Sequence, residues 1–86
     1  MEQQLSDGSE SALDLRGLKC PLPVLKTRKH MRDLAIGTRI RIETTDPLAV
    51  IDVPHFCRED GHQLLDSTAI EGGHVFVIEK GLPASA

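Results

Sequence analysis

Eighty-six residues, 40% apolar and 27% charged, with Phe56 and Phe76 as the only Phe, Tyr or Trp side chains, make one small domain. A multidomain machine is excluded, and no apolar run is long enough to span a membrane. The net charge of −3 hides a polarised chain: residues 16–41 sum to +7, whereas residues 1–15 sum to −4 and residues 42–86 to −6.

Residues 1–11 are polar and acidic, without the apolar stretch of a signal peptide, and read as a flexible tail. The domain is expected over residues 12–81, with a short tail at 82–86. With only Cys20 and Cys57 there is no disulfide framework, and the chain reads as cytoplasmic, where thiols stay reduced.

Residues 12–15 alternate around Asp14 and predict a strand, broken at Gly17. Residues 21–34 predict a helix. Val24, Thr27, Met31, Leu34 and Ala35 recur at three- and four-residue steps on one face, with Lys26, Lys29 and Arg32 on another. Gly37 suits its C-terminal cap. Residues 38–44 alternate cleanly, Ile40 and Ile42 against Arg39, Arg41 and Glu43, and predict a half-buried strand.

Asp46-Pro47 signals a second helix, with Asp46 as cap. Pro54 should kink or restart that helix, which then runs to Asp60 and ends at Gly61. Residues 63–70 and 75–79 predict a hairpin around Glu71-Gly72-Gly73-His74, and the apolar run Val75-Phe76-Val77-Ile78 predicts an interior strand. The expected fold is α/β, a two-layer βαβαββ sandwich: a four-stranded mixed sheet with two helices on one face.

The chemistry gathers at Leu15-Arg16-Gly17-Leu18-Lys19-Cys20-Pro21-Leu22-Pro23. Cys20 stands just before a helix whose opening turn contains Pro21 and Pro23, which stiffen it. The helix N-terminus, with Arg16, Lys19 and Lys26 nearby, is expected to favour the thiolate. No second cysteine stands at Cys-X-X-Cys spacing, so group carriage on one thiol fits better than a dithiol cycle. The alternative, a small buried filler cysteine, fits the proline pair and the surrounding bases less well.

This motif resembles the TusA/SirA family of small sulfur carriers. The resemblance extends through Asp46-Pro47, Asp52-Val53-Pro54-His55-Phe56-Cys57 and Ile78-Glu79-Lys80-Gly81. It implies a two-layer α/β sandwich and a sulfurtransferase-type carrier acting stoichiometrically, with sulfur held as a persulfide on Cys20. It also implies a cysteine desulfurase or rhodanese-like donor and a downstream acceptor protein. Family destinations include tRNA thiolation, molybdenum-cofactor assembly and sulfur oxidation. Carriers serving tRNA thiolation often have Glu between the motif prolines and Met two positions after the second; here those positions are Leu22 and Leu25.

Arg16, Lys19, Lys26, Arg28, Lys29 and Arg32 are expected to dock acidic partner surfaces beside Cys20. Cys57 reads as a packed apolar residue, the sharper reading being a second sulfur site or a disulfide with Cys20. No histidine pair has metal-ligand spacing, so neither metal nor cofactor is expected. Two other functions remain open. A nucleic-acid-binding module would use the basic zone, but the acidic total and the lack of stacking aromatics argue against it. A redox-responsive regulator would use Cys20 as an oxidisable thiol. With no exposed apolar stripe evident, a monomer is expected.

Overall fold

A computed structural model describes residues 10–81; the expected tails, apart from Glu10 and Ser11, lie outside them. The chain order is β1 (Glu10–Leu15), α1 (Leu22–Arg32), β2 (Arg39–Thr44), α2 (Ala49–Asp60), β3 (Gln63–Ile70) and β4 (Gly73–Glu79). One four-stranded sheet runs β1-β2-β4-β3, so the apolar strand β4 is interior as its composition predicts.

β1 and β2 are parallel, with Leu13 beside Ile42 and Leu15 beside Thr44. β4 is antiparallel to both β2 and β3. The alternation of β2 sends Ile40, Ile42 and Thr44 into the core and leaves Arg39 and Arg41 exposed. Phe76 and Ile78 lie opposite Ile42 and Ile40 and complete that buried face.

Both helices cover it. α2 contributes Ala49, Val53, Phe56 and Cys57 at helical spacing; α1 contributes Pro23, Thr27 and Met31. Thr27 is fully buried yet satisfied, because its hydroxyl donates to the Pro23 carbonyl at 2.7 Å. Burying two phenylalanines and several Leu, Ile, Val and Met side chains, each worth roughly 1.5–3 kcal/mol, is what holds so small a sheet closed.

Several boundaries differ from the sequence expectation, each for a local reason. β1 begins two residues early, at Glu10, because pairing with Arg39 and Ile40 extends it. α1 begins at Leu22 and stops at Arg32, so Ala35 lies beyond it and is exposed. Gly37 is not its cap: its N–H donates to the Lys80 carbonyl, joining the turn before β2 to the end of β4.

Asp46 does not cap α2 directly. Its Oδ1 accepts the Leu48 N–H at 3.2 Å and its backbone carbonyl accepts the Ala49 N–H, making a tight turn one step ahead of the helix. Pro54 does not break α2. The carbonyl it leaves without a helical donor belongs to Val50, which is exposed, so water can serve it. Gly61 ends α2 in the left-handed region at φ +78°, with its N–H on the Cys57 carbonyl.

Candidate functional site around Cys20

The loop from Arg16 to Pro21 carries Cys20 from the end of β1 to the start of α1. Gly17 allows its sharp exit: φ is +84°, a region costly for any side chain, and its N–H donates to Thr45 Oγ1 at 2.9 Å. That bond ties the cysteine loop to the loop after β2. Between them lies an open cleft of about 510 Å³, with Leu18, Lys19 and Cys20 on one side and Thr45, Asp46, Pro47 and Leu48 on the other. Cys20 is exposed, as a reactive sulfur must be.

The electrostatics differ from those expected. The Cys20 thiol donates to Asp52 Oδ2 at 3.0 Å. That hydrogen bond, partial desolvation and the negative charges of Asp52 and Asp46 push the thiol above its ordinary value, so at rest it is a thiol and not a thiolate. The helix start has fewer backbone donors than usual. Pro21 and Pro23 have no N–H, and the Leu22 N–H is already bonded to the Lys19 carbonyl at 2.7 Å. The prolines that stiffen the turn thus remove two backbone donors from it.

Asp52 and Asp46 are the site residues that sequence reasoning did not assign, although both stand in its motif stretches. Their only other signal was the net −6 of residues 42–86. Asp46 Oδ2 is buried with no hydrogen-bond partner among the described residues. Cys20, Asp46 and Asp52 can bring one sulfur or oxygen atom each within 4.8 Å of one another. The thiol proton already fills the Cys20–Asp52 contact, which makes the trio a hydrogen-bonded thiol beside a second acid.

The six expected docking bases separate into two groups. Arg16 folds back on Asp14, with Nε and Nη2 on the two carboxylate oxygens at 2.9 and 3.0 Å. Those bonds hold the Asp14 carboxyl at about 2. Arg28 fastens α1 to α2: its Nε donates to Asp60 at 2.9 Å and its guanidinium sits 5.2 Å from the Phe56 ring centre. Lys19, Lys26, Lys29 and Arg32 are exposed and make no ion pair among the described residues.

Cys57 is buried against Val53 and Phe56, and desolvation pushes it up to about 11. Both cysteines are free thiols. Apolar exposure that the sequence reading did not expect also occurs at the helix starts, with Leu48 lining the cleft. Leu22, Leu25, Leu48 and Ile51 are exposed, because they occupy the opening turns of the two helices on the sides turned away from the sheet.

A family model described as Sulfurtransferase TusA matches residues 11–80, nearly the whole described fold. The chain belongs to the TusA family. The protein called Sulfur carrier protein TusA in Pseudomonas entomophila (strain L48) is 39% identical over 71 residues, covering 83% of this chain and 89% of that protein. Proteins of the same name in Pseudomonas putida strains GB-1 and W619 are 38% identical over the same span. The TusA resemblance read from the Cys20 motif is therefore shown. Among the described residues, no helix is long and apolar enough to cross a membrane.

Proposed function

We propose that this TusA-family chain is a sulfur carrier that accepts sulfane sulfur as a persulfide on Cys20 and relays it to an acceptor protein. The observation that carries the reading is a single exposed thiol at the edge of an open cleft, on a loop pinned to its neighbour by the Gly17–Thr45 bond, in a TusA-family fold. A cysteine desulfurase or rhodanese-like protein is the donor. Thiolation of tRNA, molybdenum-cofactor assembly and sulfur oxidation are the candidate destinations. The chain acts stoichiometrically in a reducing cytoplasm.

Loading is one exchange. The Cys20 thiol ionises, and the thiolate forms a bond to the outer sulfur of the donor persulfide. The donor's S–S bond breaks, its electron pair leaves with the donor sulfur, and that thiolate takes up a proton. Delivery repeats the exchange with an acceptor thiolate attacking the outer sulfur on Cys20. Sulfane sulfur changes carrier, with no net oxidation.

Lys19, Lys26, Lys29 and Arg32 supply the long-range attraction to acidic partner surfaces, whereas Arg16 and Arg28 spend their charges within the domain. The exposed Leu22 and Leu48 supply apolar contact at the same end. Incubation with a cysteine desulfurase and cysteine, followed by intact mass measurement, tests the reading. The expected result is a gain of one sulfur atom that reductant reverses and that Cys20→Ser abolishes while Cys57→Ser does not. No gain on the wild type, or an equal gain on Cys20→Ser, rejects it. A sulfenate formed under peroxide without any persulfide would favour a redox-responsive role instead.

A further inference from the structure

Two carboxylates face the sulfur. Asp52 comes from α2 and Asp46 from the turn ahead of α2, while Lys19 of the cysteine loop lines the same cleft. Arg16, the other base of that loop, is held away on Asp14. Two acids therefore stand beside an exposed thiol. This is the reverse of the basic setting that the chain's charge map suggests. Asp52 makes direct contact with the reacting atom, 3.0 Å away, across 32 residues of sequence.

We propose that Asp52 selects the charge class of the sulfur compound that reacts with Cys20, admitting donors that carry a cationic group beside their sulfane sulfur and turning anionic donors away. The inference rests on the sulfur-carrier reading and names the kind of donor that this site takes. A cation placed at Asp52 neutralises its charge, competes for the oxygen that accepts the thiol proton, and so favours the attacking thiolate. An anion placed there meets both Asp52 and Asp46 and adds a third negative charge.

The exchange itself is balanced. Cys20 gives its proton to solvent, the thiolate bonds to the outer sulfur of R–S–SH, and R–S⁻ departs with the electron pair and is protonated by solvent. Asp52 is unchanged at the end. It acts on the ionisation and on the approach, not on the sulfur bonds.

The test uses the whole chain carrying Cys57→Ser. Loading from cysteamine persulfide, which is cationic, is compared with loading from 3-mercaptopropionate persulfide, which is anionic. Alkylation by iodoacetamide is compared with alkylation by iodoacetate, all at neutral pH. One unit charge a few ångströms from the reacting atom is worth up to about tenfold in rate, and the two persulfides differ by two, so the cationic one should load at least about tenfold faster than the anionic one. Asp52→Asn should bring the two persulfides to within about twofold and raise the iodoacetate-to-iodoacetamide ratio several-fold. Asp52→Glu should retain the preference, and added salt should weaken it.

Asp52 is half-buried, so circular dichroism confirms that each variant is folded, and Asp52→Ser is a second neutral variant. Unchanged ratios in Asp52→Asn and Asp52→Ser overturn the charge filter even if both persulfides load. If neither persulfide loads but the alkylation ratio follows Asp52, the carrier reading fails and the charge filter stands.

Discussion

Cys20 and Cys57 are both kept protonated, by opposite means. Cys57 is held by burial, which deprives a thiolate of water and pushes the group to about 11. Cys20 is held at the surface, chiefly by one hydrogen bond to the carboxylate of Asp52. A partner can undo the second restraint by neutralising or displacing one side chain. It can undo the first only by opening the core. If Cys20 carries sulfur as proposed, an elevated thiol pKa does not by itself mark a cysteine as inert. What matters is whether the cause can be removed reversibly in the folded state.

The sharpest way to break this comparison is native-state alkylation. Labelling of Cys57 has to await opening, and open fractions of about 10⁻³ or lower make it at least about a thousandfold slower than labelling of Cys20. Mass spectrometry should show one adduct in native buffer and two in denaturant. Rapid double labelling would erase the distinction.

The packing around Cys57 is the next target. Phe56 is fully buried beside Val53 and Cys57, and Phe56→Ala should cost about 3–5 kcal/mol in denaturant unfolding. It should expose Cys57 to reagent while leaving the reagent preference of Cys20 alone. A loss under about 1 kcal/mol would mean that the Cys57 side of the molecule is not the rigid one.

A smaller effect concerns His62, whose ring packs 5.4 Å from that of Phe56 and whose Nδ1 accepts the Gly81 N–H at 3.1 Å. Burial lowers its pKa below the ordinary value. The neutral ring is therefore the native form. Its contribution is fully present above the unfolded value of about 6.5 and is lost as pH falls through the lower folded value. The hydrogen bond lost on protonation is worth about 1 kcal/mol, so stability should decline by that order between neutral and mildly acidic pH. His62→Asn, measured by urea unfolding across pH, should flatten the decline. An unchanged slope would show that His62 does not control it.

The two cysteines also differ in how far the sequence disclosed them. Cys57 was legible: it follows Phe56 at a position where the helical period points inward, and it is buried as expected. The exposed placement of Cys20 between a strand and a proline-bearing helix was legible too, because Gly17, Pro21 and Pro23 are local signals. The ionisation of Cys20 was not. Counting nearby bases in the chain missed that Asp52 accepts the thiol proton and pushes the group up, while Arg16 turns to Asp14. Arg28 likewise looked like an outward base and proved to be a brace between helices.

By itself the sequence determined the order of strands and helices, the hairpin, the interior place of β4 and the exposed cysteine proposed as the sulfur nucleophile. Each follows from side-chain period, turn residues or a contiguous motif, and these act over a few residues. The tertiary structure alone decided which charges face that nucleophile. Asp52 reaches Cys20 only because α2 packs beside the cysteine loop, and a hydrogen bond spanning 32 residues is fixed by that packing and not by any local preference.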